Sequence, residues 1–339
     1  MAKQTSARIG EAQNPGPRRP GPRQRRQVQT LLNVSLVEPG TELLGERSWE
    51  SLRRWSLRSM DESCFESLAS CPQTLCLLME SFGQYLYKEG HSLYVMRQLI
   101  THVQRWKPSF RGHFAGAWQL VAKWEQLEPL RHRTPLPLVL YKAMLSISLL
   151  WRWYRFAGIM ILAFRGLCRP GEPLAAKRVD LLLARDLVVE DPTVVYLRIQ
   201  NPKGRRRGIG AVQHTKIVDA DSARFLDWVF HALPSDSPLY PGSASAFRRR
   251  WDKILQFLKV PLKLQLTPAS MRAGGAIAEY RSNQDLSLIM WRMRLKQIGT
   301  LQHYIQEVGA ASIFVELPPI SRERVIEAAL LCDALLNQF

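Results

Sequence analysis

This 339-residue sequence predicts a mainly α fold with a small β element (α+β). Three observations carry that reading. Apolar residues recur at i, i+3, i+4 spacing through two long stretches, about 60–128 and 138–167. One β-branched run, Thr193–Gln200, is followed by an Asn-Pro-Lys-Gly turn and a second strand-like stretch, Ile209–Val218. Between the helical stretches, Pro129, Pro135 and Pro137 break all periodicity. The length is sufficient for two domains with cores of their own.

Taken in order, residues 1–30 are rich in Pro, Gly, Arg and Gln and read as a disordered basic arm. Lys3, Arg8, Arg18, Arg19, Arg23, Arg25 and Arg26 oppose only Glu11 there. A solvated tail, a DNA-clamping arm and a nuclear-localisation segment all fit it. Residues 60–128 form a small helical domain, with Leu75, Leu78, Met79 and Phe82, then Leu93, Met96, Leu99, Ile100 and Val103, as its inward stripes. Trp106, Trp118 and Trp124 read as further core. Residues 129–137 are the interdomain linker. A larger domain follows over 138–310, with the hairpin and helices resuming near 220, 245, 270, 284 and 298. Residues 311–339 end in an amphipathic helix over about 321–337.

Charge narrows the partner class. Lys and Arg total 47 against 29 Asp and Glu, a net charge of +18. Such an excess suits a polyanion, because neutralised phosphates release counterions. Nucleic acid fits best, although a ribosome or an anionic membrane surface would satisfy charge alone. Five cysteines, Cys64, Cys71, Cys76, Cys168 and Cys332, form no CxxC pair and no Cys/His zinc spacing. They read as reduced thiols inside a cell, with no metal and no cofactor expected. The most apolar stretch, 136–167, is interrupted by Lys142, Arg152, Arg155 and Arg165, so it reads as buried helices and no membrane is expected.

Three boxes carry the chemistry. The first is Gly166-Leu-Cys-Arg169-Pro-Gly-Glu172 at the end of an apolar helix, with Asp180 after a further apolar stretch. The second is Thr267-Pro-Ala-Ser-Met-Arg272. The third is Gly299-Thr-Leu-Gln-His-Tyr304, with Arg272 and Tyr304 separated by 32 residues. Lys203 lies between the first two, at the predicted hairpin tip, and Lys216 is its fallback. In order and spacing these boxes resemble the tyrosine recombinase (phage integrase) family. The resemblance covers about 65–310 and implies a helical core-binding, DNA-binding domain followed by a catalytic domain, together a C-shaped clamp around double-stranded DNA. It further implies Tyr304 as nucleophile, Arg169 and Arg272 as catalytic arginines, Lys203 as general acid, and Glu172 and Asp180 as structural carboxylates.

Phosphoryl chemistry explains these residue types. Attack by a tyrosine oxygen builds negative charge on the non-bridging phosphate oxygens, which guanidiniums clamp bidentately. A Lys on a hairpin can protonate the leaving 5′ oxygen. The resulting 3′-phosphotyrosyl bond stores the energy for rejoining, without metal or nucleotide.

The sequence also departs from the pattern. Ala269 stands where the family has His, three residues before Arg272, and Leu295 stands where it has His or Trp, nine before Tyr304. Ser270, Thr267 and His303 lie near these places without matching them. Two readings follow: site-specific recombination or integration through Tyr304, and a catalytically inactive DNA-binding remnant. A type IB topoisomerase is a third. The degenerate boxes and Arg-rich preface look most like recombinases of eukaryotic transposable elements (DIRS-like or Crypton-like), which implies an intracellular, nuclear location. Active members work as homo-oligomers, tetramers on paired sites, and pass a C-terminal segment between protomers. Val325, Ala328, Ala329, Leu331, Cys332, Leu335 and Leu336 suit either that docking or intramolecular packing. Arg205, Arg206 and Arg207 beside Lys203, and Arg248, Arg249 and Arg250 before Trp251 and Lys253, read as DNA-backbone contacts, with solvated charge as the alternative.

Overall fold

The computed structural model describes residues 37–129, 134–187, 193–200, 202, 212–302, 304–305 and 307–339, the last group without the side chains of 307–310. The basic arm, residues 130–133 of the linker, Lys203, Arg205, Arg206, Arg207 and His303 lie outside the described residues. The chain divides into two compact units, 1–117 and 118–339.

The first unit is helical: α1 (Pro39–Ser56), α2 (Glu62–Ser70), α3 (Pro72–Lys88) and α4 (Leu93–Trp106), with the start of α5 (Ala115–Leu127) at its end. Prolines at the first turns of α1 and α3 and the Asp61 and Ser92 side chains at the starts of α2 and α4 satisfy or remove amide donors that have no helical partner. The predicted stripes face inward, since Leu75, Leu78, Met79, Phe82, Met96, Leu99, Ile100 and Val103 are buried, with Leu93 at the start of α4 half-buried. Trp106 departs from the expectation. It is 55% exposed at the end of α4, edge-on to Trp49, with the Lys107 ammonium over its ring. A residue on the last helical turn has no following turn to cover it, so its indole covers only one face.

The second unit is mainly α with one antiparallel three-stranded sheet. Two central helices, α6 (Leu138–Leu150) and α7 (Tyr154–Phe164), are apolar on nearly every face and almost wholly buried. After α7 come a sharp turn, the short α8 (Gly171–Ala175), and strands β1 (Leu181–Leu182), β2 (Val194–Ile199) and β3 (Gln213–Val218) in the order β1-β2-β3. The β2–β3 register runs from Val194 opposite Val218 to Ile199 opposite Gln213, so the predicted hairpin is present. Helices α9 (Ala220–Phe230), α10 (Ala244–Phe257), α11 (Ser270–Asn283), α12 (Leu286–Met293), α13 (Ile298–Gln302) and α14 (Glu307–Glu316) follow.

The expected C-terminal helix is two, α15 (Pro319–Leu330) and α16 (Cys332–Leu336). Both pack within this unit. Val325, Ala328, Ala329, Cys332 and Leu336 join the main core with α6, and Asp333 pairs with Lys142 at 2.8 Å. Of the two arrangements the sequence allows for this segment, the structure shows the intramolecular one, with Leu331 outward and 48% exposed.

Backbone contact between helices fixes the site. Gly274 and Gly275 on α11 lie so close to the Leu136 and Phe164 carbonyl oxygens that a Cβ on either would overlap them. In an ordinary helix Gly→Ala stabilises by about 1 kcal/mol. Here Gly275→Ala is expected to reverse that sign and destabilise by about 2 kcal/mol in urea unfolding, because α11 must withdraw from the end of α7. Gly171→Ala, where a Cβ meets nothing, serves as the control and should not destabilise.

Candidate nucleic-acid-processing site

The turn after α7 begins the site. Gly166 offers its carbonyl to the Thr215 hydroxyl on β3 (2.5 Å), and Leu167 adopts a left-handed conformation (φ 50°) that reverses the chain. Arg169 emerges there. Its backbone N–H donates to Glu172 Oε2 (2.9 Å) and its Nη1 donates to Glu172 Oε1 (3.1 Å), while its side chain remains 39% exposed. Asp180, buried below, accepts from the Lys177 amide and from Gln200 Nε2 (2.7 Å). It thereby ties Gln200, at the end of β2, to the turn before β1.

Arg272 sits in the first turn of α11 and is 2% exposed. Its Nη2 donates to the Met293 carbonyl at 2.6 Å, and its guanidinium lies 5.6 Å from the centre of the Tyr304 ring. Tyr304 follows α13, its backbone N–H donating to the Leu301 carbonyl (2.8 Å), and packs on a small apolar cluster of Leu167, Ala276, Ile289, Met293 and Leu301. Arg169, Arg272 and Tyr304, far apart in sequence, therefore meet. Ser270 is fully buried, and its hydroxyl accepts from the Thr267 amide (3.1 Å), so it shapes the start of α11. Leu295 packs at the edge of the same apolar cluster.

Two arginines escaped the sequence reading. Arg294, left-handed at the end of α12 (φ 58°), donates from Nη2 to Glu172 Oε2 at 2.7 Å and is 8% exposed. Arg292 pairs with Glu279 at 2.5 Å and donates to the Arg165 carbonyl (2.6 Å), which fastens α12 to the first box. The available signal was Trp291-Arg-Met-Arg294, two cations closing an apolar helix. Such residues ordinarily cap the negative end of a helix dipole, which concealed their role.

Electrostatics follow from this crowding. Burial pushes the Glu172 carboxyl up, but Arg294, the Arg169 amide and the Arg169 guanidinium outweigh it and hold it below its ordinary range. Burial, then the positive charges of Arg169 and Arg294, lower Arg272 to about 10, still cationic at neutral pH. Cys168 is buried beside this cluster, and burial raises its thiol to about 12, so it is inert as a nucleophile.

The second basic run divides. Arg248 pairs with Asp252 one turn along α10, Arg249 is exposed, and the Arg250 guanidinium lies over the Trp153 and Tyr240 rings at 5.1 and 5.9 Å. Trp251 faces the core and donates to the Leu266 carbonyl.

No family model matches the chain, and no curated protein matches it. Among solved structures, the Tn1549 transposon integrase in complex with circular-intermediate DNA aligns over 83% of this chain and 94% of that one, at 15% identity and a TM-score of 0.52. The XerA recombinase aligns over 82% of this chain and 99% of its own, at 14% identity. The XerH recombinase bound to its difH substrate aligns over 81% and 97%, at 15% identity; both have TM-scores of 0.38. The chain has the fold of the tyrosine recombinases. The Tn1549 integrase carries this likeness, which is one of fold.

Glu172→Gln tests the cluster. The folded carboxyl lies below its unfolded value of about 4.3, so its contribution is present above that pH and is lost as pH falls through the folded value. Its removal leaves buried guanidiniums without a counter-charge, and a loss of about 3 kcal/mol at neutral pH is expected in urea unfolding. The difference between parent and variant should shrink below about pH 4, as the parent's own carboxyl becomes neutral.

Proposed function

We propose that this protein binds double-stranded DNA and cleaves and rejoins its strands through Tyr304, as a site-specific recombinase or integrase. The observation that carries the reading is that Arg272 lies against the Tyr304 ring and beside Arg169, whose guanidinium Glu172 holds. Two arginines would grip the non-bridging oxygens of one phosphate. The Tyr304 oxygen would attack phosphorus, giving up its proton to water, as the bond to the 5′ oxygen breaks. The leaving oxygen takes up a proton, a role assigned to Lys203, and departs as a 5′ hydroxyl. A 3′-phosphotyrosyl link remains until a 5′ hydroxyl attacks it and releases Tyr304. The net charge of +18 supports a DNA partner. So does the Tn1549 integrase, whose structure holds its own circular-intermediate DNA. A tetramer on paired sites, a transposable-element origin and a nuclear location belong to the same proposal.

Among the described residues, no helix is long and apolar enough to cross a membrane. The second reading, an inactive DNA-binding remnant, is favoured by one specific observation. Ala269 and Leu295 place no proton-transfer group where the family resemblance expects two. Loss of one such group typically costs on the order of 10²- to 10⁴-fold in rate.

Incubation with pooled, nicked genomic fragments separates the two. Active protein should give denaturant-resistant protein–DNA adducts that disappear in Tyr304→Phe, since the short strand beyond a nick diffuses away and traps the intermediate. Absence of adducts, in a preparation that binds the same DNA, would establish the remnant.

A further inference from the structure

Arg294 occupies the residue that ends α12 in a left-handed conformation, a position where glycine is ordinarily favoured. A non-glycine residue held there has a local backbone cost, and such sites concentrate where a side chain is needed. The guanidinium is not spent on solvent. It is 8% exposed, and only Nη2 has a partner among the described residues, Glu172. Nε and Nη1 are buried without one. Arg272 repeats the pattern, with Nη2 on the Met293 carbonyl and Nε and Nη1 unpartnered. Buried cationic donors without acceptors are costly, and such groups in native proteins call for a specific explanation. These four donors, on two guanidiniums near enough that Arg294 lowers the proton affinity of Arg272, have no acceptor among the described residues.

We propose that Arg294 is a third phosphate-binding residue, forming with Arg169 and Arg272 an oxyanion pocket for the scissile phosphate. This deepens the recombinase reading and rests on it for the identity of the phosphate. Among the described residues, the guanidiniums of Arg169, Arg272 and Arg294 and the carboxylate of Glu172 together carry +2. A DNA phosphodiester carries one negative charge, whereas the five-coordinate phosphorus formed by tyrosine attack carries two. The pocket therefore matches the charge of the transition state better than that of bound DNA, which is the condition for lowering a barrier. Arg294 stands next to Leu295, nine residues before Tyr304, so it brings hydrogen-bond donors to a place where the leucine offers none. The Tyr304 ring lies over Arg272, so entry of the phosphate requires the ring to shift.

Inorganic phosphate, a dianion at about pH 8, is the probe, and no DNA site need be known. Equilibrium dialysis of labelled phosphate against the full-length protein, in salt that screens surface charge, should show one saturable site. Arg294→Gly suits the left-handed backbone and removes the guanidinium. Arg294→Lys keeps the ion pair with Glu172 but cannot serve that carboxylate and an anion through separate nitrogens of a planar fork. Both should weaken phosphate binding on the order of tenfold or more, while Lys263→Gln, an exposed cation elsewhere, should not. Parental phosphate binding in Arg294 variants with parental circular dichroism, or no saturable site in the parent, overturns the proposal. Arg294-dependent phosphate binding without any Tyr304 adduct would sink the catalytic reading and leave the pocket standing. Adducts with Arg294-independent phosphate binding would do the reverse.

Discussion

Three guanidiniums gathered around one buried carboxylate impose a condition that the rest of the second unit has to meet. Left to themselves, Arg169, Arg272 and Arg294 would repel one another and seek water. Glu172 holds two of them through three hydrogen bonds and stays ionised because their charge outweighs its burial. The Met293 carbonyl holds the third. Each of these partners comes from a different segment, so the ionic network exists only when the turn after α7, the start of α11 and the end of α12 are all in place. Pairing of buried charge on this scale costs more in desolvation than it returns in stability. Its placement makes chemical sense for a site that receives a phosphate.

The scaffold supplies that placement by backbone contact. Gly274 and Gly275 let α11 approach the end of α7 and the Leu136 carbonyl. Arg272, two residues earlier on the same helix, is thereby set against the turn that carries Arg169. The Tyr304 segment has a second anchor, the small cluster built on Leu167 and Met293. Two left-handed residues, Leu167 and Arg294, mark the points where the chain is bent to make these contacts. Strain, close helix approach and buried charge thus fall in one region, as expected where function overrides stability.

Much of this was legible in the sequence. Strong 3.6-residue periodicity located helices of both units from about residue 60 onward but missed α1 (Pro39–Ser56), and the β-branched run gave the hairpin within a few residues. Arg169, Arg272 and Tyr304 were readable because their order and spacing form a pattern. Arg294 was not, because a cation ending an amphipathic helix looks like an ordinary dipole cap. Only the tertiary structure shows that its guanidinium turns inward to Glu172. Trp106 failed for the opposite reason: helical spacing placed it on the core stripe, yet the helix ends there and leaves it half in solvent. The run Arg248-Arg-Arg250 read as one basic patch, although the α-helical turn sends its members to an acidic neighbour, to solvent and to two aromatic rings.

The most direct measurement is anomalous diffraction from crystals of the full chain soaked in tungstate, a tetrahedral oxyanion with a strong signal. A phosphate pocket predicts one well-occupied peak within hydrogen-bond distance of the guanidiniums of Arg169, Arg272 and Arg294, with the Tyr304 ring moved off Arg272. Tungstate confined to surface lysines and arginines, with Tyr304 still covering Arg272, would contradict it.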